Sequence, residues 1–234
     1  MPPKSVRYEA EVALYREHDF LTAYGKHTDK RIVETGYKAA IGGGENWNEH
    51  GELQRDFLIL CGMKPWHRLL DIGCGTGRLA RKVVPYLDSG HYLGIDISHD
   101  ALASSSELSR VEGWAERSPV FSRASEFETV CQKFDYLWSF SVMIHLPYSE
   151  CVRTLKTAAS VMHAHSRLYF SYVPEKISVR SGLKQFRKTQ REYESMADEA
   201  GLAFTDVPDW IERVRGESPR WAGSQRVALA SIIR

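Results

Sequence analysis

The chain has almost no excess of one charge: 31 Lys and Arg stand against 30 Asp and Glu in 234 residues, a formal net charge of +1. That balance argues against a broad phosphate-binding surface, and no nucleic-acid partner is expected. Long apolar runs are missing, so no membrane span is expected. The opening MPPKSVRYEAEVALYREHDF has no apolar h-region, which argues against a secretory signal. Cysteine is sparse, and Cys61, Cys74, Cys131 and Cys151 show neither CxxC spacing nor a dense framework. A reducing, cytoplasmic setting is the plain expectation. Internal repeats and low-complexity tracts are also absent. The remainder, 43% hydrophobic and 26% charged, is ordinary for a soluble globular chain, and its length suits one domain with a full core.

From residue 67 onward, short apolar runs alternate with helical patterns. HRLLDI, HYLGIDI, SPVFSRA, FDYLWSF and SRLYFSYV read as strands, and helical spacing recurs near 77–87, 99–112 and 149–163. This alternation predicts an α/β fold with a mostly parallel, doubly wound sheet. GLAFTDV and RVALASII near the end are separated by too little helix for a right-handed crossover, so a terminal antiparallel pair is expected. Ahead of the sheet, residues 5–24 predict one amphipathic helix, IGGGENWNEHG a loop, and the residues up to Cys61 a short helix. The expected organisation is an N-terminal helical cap and lid over 1–62 against a core over 63–234.

The most informative stretch is RLLDIGCGTGRLA at 68–80. Leu69, Leu70 and Ile72 end a strand, Gly73, Gly75 and Gly77 follow within five positions, and a helical pattern succeeds them. Glycines clustered between a strand and a helix predict a sharp turn aiming backbone N–H groups at a ligand. Asp96, ending the next strand, stands where a carboxylate accepts hydrogen bonds from both hydroxyls of a ribose. The alternative for Asp96 is a helix N-cap, since Ser98 and Asp100 also suit a helix start.

Taken together, LLDIGCGTGRLA, YLGIDIS and KFDYLWSFSVMIHLP resemble the first, second and fourth-strand motifs of class I S-adenosylmethionine-dependent methyltransferases. RLYFSYV and GLAFTDV fit the fifth and sixth strands of that family. Arg78 stands where a nicotinamide fingerprint wants a third Gly or Ala, which counts against a dinucleotide enzyme. The resemblance implies a Rossmann-like seven-stranded sheet, S-adenosyl-L-methionine as cofactor and S-adenosyl-L-homocysteine as product. It implies that Gly73, Cys74 and Gly75 pass under the methionine part, with Asp71 near the amino group. Asp96 would hold the ribose, Ile97 would cover adenine, and Ser139 would offer its carbonyl to the ammonium. The third strand departs from the family: FSRASEF lacks the usual Asp or Asn, leaving Ala124 and Ser125 as backbone contacts to adenine.

Methyl transfer needs alignment above all, and an oxygen acceptor most often needs a base. His145, in VMIHLP beyond the fourth strand, is either that base, a contact to cofactor or substrate, or packing. Trp47 is either an aromatic latch on a glycine lid or a core residue, and Tyr172 either faces the acceptor or packs at a strand end. His163 and His165 lack further ligands at a convincing spacing, and no metal site is expected. KISVRSGLKQFRKTQR carries six basic residues and no acid; it either attracts an anionic small-molecule acceptor or is a solvated face. The expected activity is methylation of O or N on a small molecule. A nucleic-acid methyltransferase is the alternative, against which SFSV replaces an N/D-P-P-Y/F tetrad; a non-catalytic cofactor-binding protein is another.

Overall fold

Short runs rich in Leu, Ile, Phe and Tyr become the strands of one seven-stranded sheet in a computed structural model, which describes residues 4–42, 44–219 and 225–233. The strands are β1 (Leu69–Ile72), β2 (Tyr92–Asp96), β3 (Val120–Arg123), β4 (Phe134–Ser139), β5 (Met162–Tyr172), β8 (Leu202–Val207) and β9 (Arg226–Ile232). Their order is β3-β2-β1-β4-β5-β9-β8. The first five pair in parallel, and β9 lies antiparallel between β5 and β8. A Rossmann-like sheet with an antiparallel strand near its end was the expectation, and the structure has it. Two short strands, β6 (Val179–Ser181) and β7 (Gln185–Arg187), form a separate hairpin.

Alternation along the central strands feeds two apolar layers. Leu70, Ile72, Leu137 and Phe170 pack on one face against α7 (Tyr148–Ser160) and α8 (Gln190–Glu199). Leu69, Trp138 and Tyr169 pack on the other against Phe57 of α4 (Trp47–Leu60) and Trp210 of α9 (Trp210–Arg215). Each fully buried large side chain of this kind contributes about 1.5–3 kcal/mol. Trp138 keeps its indole N–H satisfied in that core by donating to Gln54 Oε1 at 3.0 Å.

Several local expectations change. The single helix over 5–24 is two, α1 (Lys4–Glu17) and α2 (Phe20–Thr35), because Asp19 starts a new helix by accepting from the Thr22 N–H at 3.1 Å. A four-residue helix, α3 (Tyr37–Ala40), follows Gly36. The segment ending near Cys61 is a full 14-residue helix, α4. Over 77–87 only α5 (Ala80–Val83) is α-helical, and the residues around it are turn. The helix expected over 99–112 is α6 (His99–Val111), capped by Ser98, whose hydroxyl accepts from the Ala101 N–H at 3.0 Å. Among the described residues no helix is long and apolar enough to cross a membrane.

Candidate active site

Strand order reverses between β1 and β4, and a cleft of about 1010 Å³ opens beyond the carboxyl ends of β1, β2 and β4. This is where open α/β sheets take ligands. Gly73 and Gly75 line it with φ of 74° and 56°, a region that L side chains rarely enter. A Cβ at Gly73 would run into the side chain of Val142, and one at Gly75 would lie 3.1 Å from Ile41 Cδ1. The turn's own N–H groups are already used: those of Gly73 and Cys74 donate to the Ile95 carbonyl, and that of Gly75 to Asp96 Oδ2 at 2.8 Å. The turn therefore offers a close backbone approach, and its first three donors serve to lock it onto the end of β2.

The cap of α6 is Ser98 and not Asp96, which stands two residues ahead of it. Asp96 Oδ1 accepts from the Ser98 N–H at 2.8 Å, at the entry to α6, while its side chain lines the cleft. Burial pushes its carboxyl above the usual range, and the backbone donors at Ser98 and Gly75 oppose that. Asp71 is buried at the cleft floor, where its Oδ2 accepts from the Tyr92 hydroxyl at 2.8 Å. Burial is the main cause of its rise to about 7; the Tyr92 bond and Arg78 oppose it, and Asp96 adds to it.

Arg78 was used in the sequence only to argue against a nicotinamide cofactor. It proves to be a buried cation lining the cleft, its guanidinium 5.5 Å from the centre of the Phe140 ring. Nη1 donates to the Gly42 carbonyl at 3.4 Å, which ties the residues after α3 to the glycine turn. Burial lowers its pKa to about 10 and Asp71 opposes that. The signal available was its place in GTGRLA, where a helix start next to a ligand turn carries a cation.

His145 also faces the cleft. Its Nδ1 lies 2.9 Å from the Lys184 carbonyl, an acceptor only, so Nδ1 carries the hydrogen and Nε2 is left as an acceptor. The Tyr24 ring, from α2, lies 5.6 Å away centre to centre and also lines the cleft. Burial lowers the imidazole pKa, the bond to Lys184 opposes this, and the Lys184, Lys188 and Arg31 charges lower it further.

Cys74, Ile97, Ala124 and Ser125 line the same cleft. Burial pushes the Cys74 thiol well up, which leaves it inert. Ser139 ends β4 fully buried behind the lining, which passes instead to Phe140, Ser141 and Val142. Two further residues are not brought there. Trp47 is buried, with its ring set edge-on to Tyr37, and Tyr172 is buried, with its hydroxyl donating to Asp206 Oδ1 at 2.6 Å. Both large rings are taken up by core packing. Of the expected glycine lid, Ile41 and Gly42 line the cleft, and Gly43 lies outside the described residues. His163 sits on β5 against Asp135 at 3.1 Å, at the amino edge of the sheet. Among the described residues no cluster suits a metal ion.

A family model described as a methyltransferase domain matches residues 70–168, the segment from β1 into β5 that carries the glycine turn, Asp96 and His145. Residues 70–168 thus carry the pattern of a methyltransferase domain, and the sheet order is that of the Rossmann-like methyltransferase fold. A curated relative of the chain is the 24-methylenesterol C-methyltransferase 2 of Oryza sativa subsp. japonica, 27% identical over 73% of this chain and 53% of the relative. The chain thus spans about half the length of that relative. Magnesium protoporphyrin IX methyltransferase from Synechocystis PCC 6803, solved with bound SAM, superposes with a TM-score of 0.64 at 17% identity, covering 94% of this chain and 97% of that one. The [4+2]-cyclase SpnF superposes with a TM-score of 0.65 at 16% identity over 91% and 96%. At such identities the two structures share the methyltransferase fold and no more.

Proposed function

We propose that the chain moves a methyl group from S-adenosylmethionine to a hydroxyl or amine of a small molecule. The observation that carries this reading is the one cleft that the glycine turn, Asp96 and His145 all line. The residues fit the cofactor: a side chain at Gly73 or Gly75 would be strained and crowded, and buried charges of both signs stand at the floor. Asp96 takes the ribose diol on its remaining lone pairs, and Ile97, Ala124 and Ser125 border adenine. Asp71 takes the ammonium of the methionine part, the Ser139 carbonyl supports it from behind, and Arg78 takes the carboxylate.

When bound, S-adenosylmethionine would supply an electrophilic methyl carbon on a sulfonium, with S-adenosylhomocysteine as the leaving group that keeps the C–S electron pair. His145 Nε2 accepts the acceptor's proton as the new bond to carbon forms. The Lys184 carbonyl holds the ring in the tautomer that makes this possible, and Tyr24 limits its rotation. Orientation in the cleft supplies most of the rate.

Calorimetry with S-adenosylmethionine, S-adenosylhomocysteine and NAD tests the cofactor class, followed by a radiolabelled methyl-transfer screen over metabolite pools. Asp96→Ala should cost at least tenfold in S-adenosylhomocysteine affinity, the loss of about 1.5–3 kcal/mol for one charge-assisted bond. Wild-type affinity in that variant would remove Asp96 from the ribose role.

A further inference from the structure

The basic run 176–191 distributes its charges unevenly. Arg187 pairs with Glu175 at 3.0 Å, Arg180 covers the Phe186 ring, and buried Lys188 donates to three carbonyls. Lys176 and Arg191 are exposed. Lys184, between the hairpin strands, turns inward. It lines both the large cleft and an adjoining cavity of about 340 Å³, and Arg31 of α2 lines both as well.

Two carboxylates also line that cavity. Glu11 lies 3.9 Å from His27, and Glu34 lies 4.0 Å from Lys30. Among the described residues no carboxylate lies within 4.0 Å of the Arg31 guanidinium or the Lys184 ammonium. Arg31 spends one donor on the Ala39 carbonyl at 3.4 Å, and Lys184 Nζ meets His27 Nε2. Most of the planar donor fork of Arg31 is therefore open.

We propose that the methyl acceptor carries an anionic group, carboxylate or phosphate, seated between Arg31 and Lys184 beside His145; this rests on the methyltransferase reading above. Two cations of like sign held close in a half-buried cavity repel each other, and an anion between them reverses the sign of that term. Burial and the neighbouring Arg31 charge already press the Lys184 pKa down to about 8, with Glu11 opposing. A guanidinium fork with an adjacent ammonium matches the oxygen geometry of a carboxylate or phosphate. The placement also sets register. The Lys184 carbonyl orients His145 while the same residue's ammonium holds the anion, so the reacting hydroxyl or amine lies a short scaffold away from the anionic group.

The test titrates the full chain, with and without S-adenosylhomocysteine, with 4-hydroxybenzoate, its neutral amide 4-hydroxybenzamide, and inorganic phosphate. The imidazole carbon shift of His145 and the heat of binding are followed together. An anionic probe should bind at least about tenfold more tightly than the amide and move the His145 signal, as expected for charge-assisted bonds. Arg31→Gln and Lys184→Gln should each weaken it at least fivefold, Arg31→Lys should recover part of the loss, and S-adenosylhomocysteine affinity should hold within twofold. The tighter of benzoate and phosphate names the group. Equal binding of acid and amide, no anion binding by the wild type, or variants that bind anions unchanged would overturn the seat. Anion binding without any S-adenosylhomocysteine binding supports the seat and sinks the methyltransferase reading instead.

Discussion

Asp71 occupies the strand interior at the floor of the cleft, an expensive place for a carboxylate, and its proton affinity reflects that. Burial holds its pKa near about 7, far above the usual 3.8. Between those values the folded chain binds the extra proton, so this residue's contribution to stability falls as pH rises from about 4 towards 7. An ammonium placed beside it by the cofactor favours the ionised form and offsets that loss. S-adenosylhomocysteine affinity should therefore rise with pH up to about 7, by at most tenfold per unit, and then level off. Asp71→Asn should flatten the profile in calorimetry; an unchanged slope would remove Asp71 from the ammonium role. His145 shifts the other way. Its lowered pKa keeps it neutral below the ordinary histidine range, so the acidic limb of turnover should fall below about pH 6.5. His145→Ala should cost on the order of 10²–10⁴ in turnover against a hydroxyl acceptor and leave cofactor affinity nearly intact. Full turnover in that variant would leave orientation alone as the mechanism.

Elements with a strong local period were legible in the sequence; those that depend on neighbours were not. The strand, glycine turn and second strand could be read because apolar runs and positive-φ glycines act locally. The β6–β7 hairpin could not, since its three-residue strands are mostly exposed and carry no apolar alternation. Nor could the sequence tell which side of every element faces the cleft: Trp47 and Tyr172 went to the core, while Arg31 and Arg78 came to the site through packing of α2 and the turn. The hairpin's role rests on tertiary bonds. The Phe186 N–H donates to the Ile144 carbonyl at 3.0 Å, and Lys188 Nζ donates to the carbonyls of Met143 and Leu146 at 2.8 and 2.7 Å. Those carbonyls flank His145, so one buried ammonium fixes the turn that carries it. Lys188→Met leaves three carbonyls short of a donor, a cost of about 1–3 kcal/mol each where they stay buried. Turnover should fall well beyond any change in S-adenosylhomocysteine affinity, and amide exchange at Phe186 should quicken. Unchanged exchange there would show that the hairpin holds without Lys188.

Across the whole molecule, the cleft has a floor made by the sheet and a wall made by the N-terminal helices, and α2 connects the two. Gly25 sits so close to β2's exit that a Cβ there would lie 2.9 Å from the Ile97 carbonyl. One turn further, Asp29 Oδ1 accepts from the Ser98 hydroxyl at 2.5 Å and from the Asp100 N–H at 3.1 Å. A cap residue from another helix thus completes the N-terminus of α6, immediately beyond Asp96. The expected division at 62–63 is crossed by these bonds, and α4 contributes Leu53 and Phe57 to the central apolar layer. The α2 wall is held to the core by such polar links together with Phe20 and Leu21, which pack against its apolar layer. Asp29→Ala removes two of the links. The loss of a cap of this kind is worth about 1 kcal/mol, which shifts the thermal midpoint of a chain this size by about 2–4 °C. The local effect should be larger: amide exchange across 20–35 should quicken while the strands stay protected, because α2 opens as a unit. S-adenosylhomocysteine affinity should drop with it, since Tyr24 and Gly25 border the cleft. Should exchange in α2 match the wild type, the helix is held by its apolar contacts alone and the wall does not depend on Asp29.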